Sequence, residues 1–309
     1  MGNILSLLTF DYIQNANITT KSTNKPCINS NRIIIYYQTL NDLSELLEEV
    51  KQAPKERPIL THITLASIHF GYNDSSKTKP YIHLNDNNPT DRKFQKVYSQ
   101  LREFKQEGIQ INLLIGGAGS AFQSLFSNYS VYYKLLQGTV NYLNFIDGFN
   151  LDIEEEVSIA NMVKLIKELK TDFPDKDIIF APLGSSIASN SPGMGGFAYK
   201  DLIKALPASI NIAYYNTQCY GEYSYDLFEE MLNNGYKSEE IVMGMLVGQD
   251  FQSILSTLEE IKKKYPDFGG VAVWEYFNAP KEWCTQVSNK LYPQSYTVSE
   301  SKYEIETRL

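Results

Sequence analysis

Residues 145–154 read FIDGFNLDIE, and two more acids, Glu155 and Glu156, follow at once. The stretch enters on apolar residues, alternates, and leaves on carboxylates. Along an extended chain, successive side chains point to opposite faces. Phe149, Leu151 and Ile153 therefore share one face, and Asn150, Asp152 and Glu154 share the other. Glu155 and Glu156 read as the opening of a following helix, whose dipole favours negative charge there. That reading does not extend to Asp152 and Glu154, which the alternation turns inward. Two buried carboxyl groups side by side repel, so one keeps its proton while the other ionises. An acid beside a carboxylate is the equipment for breaking a glycosidic bond.

The stretch is the fourth of eight similar runs. Before it come IIIYYQ (33–38), THITLASIHF (61–70) and IQINLLIGG (109–117). After it come DIIFAP (177–182), INIAYYN (210–216), IVMGMLVG (241–248) and GGVAVWEY (269–276). Between them lie stretches of helical period such as DLSELLEEVKQA (42–53), DRKFQKVYSQLREFKQEG (91–108) and FQSILSTLEEIKKKYP (251–266). Gly108, Pro174, Pro207 and Pro266 mark helix ends. Strands alternating with helices predict a parallel sheet, and near-continuous apolar strands predict burial on both faces. Eight such units predict an α/β fold closed into a single (β/α)8 TIM barrel, a domain of roughly 250 residues with its active site at the strands' C-terminal ends. The inward column of residues 150, 152 and 154 climbs to that rim. No GxGxxG turn follows the first run, so a dinucleotide-binding sheet has no support. Residues 1–31 read as a polar arm, 32–292 as the barrel and 293–309 as a polar tail.

Composition narrows the function. A formal charge of −8 argues against nucleic acid as a partner, since phosphate binding needs clustered Lys and Arg. Cys27, Cys219 and Cys284 have no metal-ligand spacing, and His62, His69 and His83 form no HExxH. Neither metal nor cofactor is expected. Aromatic sugar platforms could be hidden among the 22 tyrosines. No apolar run reaches membrane-spanning length. The opening MGNILS matches the N-myristoylation pattern, with Gly2 as acceptor and Ser6 in place. One acyl chain without a polybasic cluster gives only weak membrane attachment. No signal-peptide pattern is recognised, so the chain is expected to be intracellular as synthesised, and membrane-associated where Gly2 is acylated.

The stretch DGFNLDIE (147–154) resembles the DGxDxDxE signature of the family 18 glycoside hydrolases, the chitinases and their relatives. The resemblance runs from about Arg32 to Lys290 and includes LLIGG (113–117), FAP (180–182), YYN (214–216) and VW (273–274) on the expected strands. Only QD stands between the seventh run and its helix, which leaves no room for the α+β insertion domain of some chitinases. The chain is thus similar to the short class III plant-like barrels.

That resemblance implies hydrolysis of β-1,4 bonds between N-acetylglucosamine units by substrate-assisted, retaining catalysis. Glu154 matches the general acid and base, and Asp152 the carboxylate that holds the acetamido N–H. Tyr215 matches the tyrosine supporting the acetamido carbonyl, and Trp274 the floor beneath the distorted sugar. Tyr37, Asn150 and Asn216 are grouped with the substrate-binding residues. Two departures imply reduced activity. Asn150 replaces a motif aspartate, which is expected to leave Asp152 more persistently ionised. Ala213 stands where class III-like members carry a glutamine. The partner implied is a polysaccharide or glycan containing N-acetylglucosamine, and the chain is expected to be a monomer. Two alternatives stay open: a chitinase-like lectin, whose members usually lose the terminal glutamate that this chain keeps, and an endo-β-N-acetylglucosaminidase acting on N-glycans.

Overall fold

The structure, a computed structural model, describes residues 30–293. Gly2 and nearly all of the expected arm lie outside the described residues, as does the tail from residue 294. Nine strands form one sheet: β1 (Arg32–Tyr37), β2 (His62–Tyr72), β3 (Pro80–Leu84), β4 (Gln110–Gly116), β5 (Gly148–Asp152), β6 (Asp177–Phe180), β7 (Tyr214–Gln218), β8 (Ile241–Leu246) and β9 (Gly270–Trp274). Eight of them are parallel, in the order β1-β9-β8-β7-β6-β5-β4-β2, and pairing of β1 with β2 closes the ring. This is the expected single (β/α)8 barrel. The chain passes from β8 to the Phe251–Lys264 helix in four residues, 247–250.

Alternation along each strand builds two layers. All six residues of β1 are buried. Ile33, Ile35 and Tyr37 join the large core between sheet and helices, while Ile34 and Tyr36 join a small inner cluster with Leu114, Ile179, Tyr214 and Val242. The helices supply matching apolar stripes. Phe251–Lys264 buries Phe251, Ile254, Leu255, Leu258 and Ile261 against the sheet. Asp250 caps it by accepting from the Gln252 and Ser253 amides, and Lys262–Lys264 oppose the negative end of its dipole. The N-terminal mouth of the barrel is plugged. There the Arg32 guanidinium lies 4.3 Å from the Tyr214 ring centroid, and Asn112 Nδ2 donates to the Tyr214 hydroxyl at 2.9 Å.

Two features differ from the sequence reading. The second strand runs on to Tyr72 and folds back as β3, antiparallel to it and outside the ring. Ile82 and Leu84 of β3 pack inward, and Tyr81 and His83 face the other way. The sixth run also starts later than its apolar pattern suggests, at Tyr214 rather than Ile210. Residues 207–210 form a turn, closed by the Ile210 amide donating to the Pro207 carbonyl at 2.9 Å.

Candidate active site

Strand β5 holds Phe149 and Leu151 in the outer core, with Asn150 and Asp152 buried on the inner side. Glu154 follows two residues beyond Asp152, just past the strand. Gln218, the last residue of β7, reaches across: its Nε2 donates to Asp152 Oδ1 at 2.9 Å, to Glu154 Oε1 at 3.1 Å and to the Ala181 carbonyl at 3.1 Å. One amide thus fixes both carboxyl groups. Burial first, and then the charge of Glu154, push the Asp152 carboxyl well above the usual carboxylate range; the hydrogen bond from Gln218 pulls the other way and does not prevail. The two carboxyls also hydrogen-bond to each other, which again favours a proton on Asp152. Asp152 therefore holds its proton to higher pH than an exposed aspartate does.

Above the pair is a cavity of about 170 Å³, bordered by Tyr36, His69, Tyr220 and Trp274. The Trp274 indole is held edge-on by Tyr36, with ring centroids 5.2 Å apart at 63°. Below, the Tyr36 hydroxyl accepts from Asn150 Nδ2 at 2.9 Å and from Asn216 Nδ2 at 3.1 Å. Burial raises the Tyr36 phenol far above its ordinary value, so it stays a neutral O–H. Burial and the neighbouring His83 together pull His69 below the usual imidazole value.

The structure thus brings Asp152, Glu154 and Trp274 to one cavity. Asn150 and Asn216 sit one layer beneath it, supporting Tyr36 rather than bordering the open space. Two of the expected site residues point elsewhere. Tyr215 faces the helices, 5.1 Å from Tyr236 and 6.3 Å from Phe180 by ring centroid. Alternation along β7 turns Tyr214, Asn216 and Gln218 inward and Tyr215 outward. Tyr37 likewise faces out; its hydroxyl donates to the Asn41 carbonyl at 2.5 Å, and Tyr36 takes the inner position. The Ala213 departure also has another reading. Gln218, Cys219 and Tyr220 supply a glutamine two residues before a tyrosine, five places later than the match read from sequence.

One further expectation changes. Glu155 does not open the helix that follows; it accepts from the Phe122 and Gln123 amides at the start of the Ala121–Ser127 helix. Ser158 caps the next helix by accepting from the Asn161 amide at 3.2 Å. Sequence reasoning missed Gln218, Tyr220, Tyr36 and His69. The available signal for the first two was QCYG (218–221), directly after the β7 run.

The sequence profile of the glycosyl hydrolases of family 18 matches residues 32–248. The chain belongs to glycosyl hydrolase family 18. A fungal endo-beta-N-acetylglucosaminidase of the same family is 28% identical, with a TM-score of 0.72 over 85% of this chain and 99% of its own. A chitinase from Aspergillus fumigatus is 27% identical, with a TM-score of 0.70 over 81% of this chain and 93% of its own. A family 18 chitinase from Pseudoalteromonas aurantia, at 17% identity and a TM-score of 0.63 over 84% of this chain and 100% of its own, shares the fold. No curated protein matches the chain.

The proton stored in this family 18 site has a consequence for stability. Asp152 binds its proton more tightly in the folded chain than in the unfolded one. Between those two pKa values the folded state holds the extra proton, so stability falls as pH rises through that window. Asp152→Asn has no charge to bury. Its melting temperature should exceed that of the parent near neutral pH, and the gap should close in acid, below about the ordinary aspartate pKa of ~3.9. Thermal unfolding of both proteins from acid to mildly alkaline pH tests this; a gap that does not change with pH sinks it.

Proposed function

We propose that this family 18 protein is a retaining glycosidase that cleaves the β-1,4 bond following an N-acetylglucosamine unit, with chitin-type chains as substrate. The observation that supports this is the Asp152–Glu154 pair, bridged by Gln218 and facing a cavity bordered by Trp274. With a sugar on the indole, the stored proton passes through the carboxyl–carboxyl hydrogen bond to Glu154. Glu154 gives it to the glycosidic oxygen as the bond to C1 breaks, and the leaving chain departs with that proton. The acetamido carbonyl oxygen of the same sugar bonds to C1 on the opposite face, giving an oxazolinium ring. Asp152, now ionised, accepts the acetamido N–H and balances the positive charge. The Tyr220 phenol, kept as O–H by burial, donates to the acetamido oxygen. Water then loses a proton to Glu154 and attacks C1, which opens the ring and restores the site. Asn150 cannot take up a proton from Asp152, so the site has one proton store fewer than an aspartate there provides, and turnover is slow.

One observation favours a second reading. The endo-beta-N-acetylglucosaminidase is as similar in structure as the fungal chitinase. The same chemistry on the core of an N-glycan is therefore the alternative. A lectin reading is less economical, because it leaves the shared proton of Asp152 and Glu154 without use. Purified protein should release product from a fluorogenic chitotrioside and leave a high-mannose glycoprotein intact. The reverse result selects the N-glycan reading, and failure on both substrates rejects the glycosidase.

A further inference from the structure

The β2–β3 hairpin has two faces of different character. Ile82 and Leu84 of β3 and Phe70 of β2 are buried in the core. The other face carries His69 on β2, with Tyr81 and His83 on β3, all half-buried. Register sets His69 directly against His83, and Gly71 against Tyr81. The three rings stand in a nearly parallel row: Tyr81 to His83 is 5.8 Å at 11°, and His83 to His69 is 5.7 Å at 21°. Alternation and cross-strand pairing are sufficient to produce such a row on one side of a hairpin. The row is not sealed by a neighbour at Gly71, where an added Cβ meets nothing within 4 Å.

The two ends of this row open on different spaces. His69 borders the catalytic cavity beside Asp152, Glu154 and Trp274. Tyr81 and His83 border a second recess, of about 670 Å³, together with Gly71, Tyr72 and Asp86. Tyr72, at its edge, is 38% exposed, one of the few large apolar side chains left in contact with water. Flat ring faces beside amide and carboxylate groups match the two sides of a pyranose, whose C–H face is apolar and whose rim is hydroxylated. The catalytic cavity, at about 170 Å³, is smaller than the recess, and of the three rings only His69 borders it.

We propose that the Tyr81–His83–His69 row is a sugar-binding platform that carries the substrate chain from the catalytic cavity into the hairpin recess. His83, parallel between its neighbours, keeps the row rigid, a sugar stacks on the outer face of Tyr81 at the recess end, and Asn73 and Asp86 at the border hydrogen-bond hydroxyl groups. The platform makes the protein selective for long chains over short ones. The assignment rests on the glycosidase reading of the neighbouring cavity.

The test uses the full chain carrying Glu154→Gln, which binds without turning over, and chitooligosaccharides from the disaccharide to the hexasaccharide. In this parent, affinity should rise with chain length. Tyr81→Ala or His83→Ala should weaken the long ligands by roughly three- to tenfold, the effect of one lost ring contact, and the shortest ligand by clearly less. Tyr81→Phe should restore long-chain affinity. Gly71→Leu, which places a side chain in open space rather than against a neighbour, should block the recess and mimic Tyr81→Ala even where that variant folds poorly. Equal losses at every length, or an undiminished length dependence in both Tyr81→Ala and Gly71→Leu, overturn the platform. If the parent binds none of these ligands at any length, the glycosidase reading fails and the platform falls with it. If the length dependence exists but is indifferent to the hairpin, only the platform fails.

Discussion

Replacing Glu154 by glutamine should lower kcat by about 10²–10⁴-fold, the usual worth of a positioned general acid and base. The prediction is specific because the replacement fits the local hydrogen bonding. Glu154 Oε1 accepts from Gln218 Nε2 at 3.1 Å, and a glutamine oxygen can accept the same bond. Its new N–H group can face Asp152, which then loses the like-charge contribution that Glu154 made to its raised pKa. Shape and contacts survive, and the transferable proton does not. Affinity for chitooligosaccharides should therefore change by only a few fold while kcat collapses, the pattern of an interaction made in the transition state alone. The parent should also show an alkaline limb where the pair gives up its shared proton, and the residual activity of the variant should lack it. A Glu154→Gln protein that keeps more than a tenth of the parent kcat assigns the proton transfer to another group.

Much of this site was legible because β5 alternates cleanly. Phe149, Leu151 and Ile153 are apolar while Asn150, Asp152 and Glu154 are polar, so the chain itself states which column faces the core of helices. Neighbouring strands carry no such statement. In β1 every residue from Arg32 to Tyr37 is buried, and two tyrosines stand side by side. With water on neither face, hydropathy cannot choose between Tyr36 and Tyr37. Burial inside the ring and burial under helices look the same in sequence. On β7 the error was one of register. Apolar alternation begins at Ile210, yet Pro207 and the turn after it delay the ladder until Tyr214. That four-residue delay keeps the alternation in phase. The slip lay in matching the motif at Ala213 and Tyr215 instead of Gln218 and Tyr220, five residues later, and an odd offset puts the matched tyrosine on the outer face. The hairpin was missed for another reason: β3 has five residues, starts at proline and follows a polar turn, and such a segment is hard to distinguish from a loop.

The second large effect lies at a residue with no side chain. Gly116 ends β4 opposite Asp152, its register partner on β5. Its φ is +102°, and an added Cβ would lie 2.2 Å from the Asp152 carbonyl oxygen and 2.7 Å from Phe122 Cε2. The oxygen belongs to the backbone and cannot rotate aside. It is also already engaged, accepting the Gly117 amide at 2.9 Å. Gly116→Ala must therefore displace the end of β5, and with it the carboxyl that Gln218 holds. Backbone strain costs about 1–3 kcal/mol, and forced repacking another ~1–3 kcal/mol. Against a total stability of about 5–15 kcal/mol, that is a marked fall in melting temperature. Activity should fall further than stability alone explains, since a displacement of about 1 Å can cost ~10²-fold in rate. Gly138→Ala is the control: it lies in the Tyr129–Tyr142 helix with nothing within 4 Å of the added Cβ, and alanine suits a helix better than glycine. It should melt at or above the parent temperature with unchanged kcat. If Gly116→Ala behaves like Gly138→Ala in both measurements, the close approach of β4 to the catalytic strand does not position Asp152.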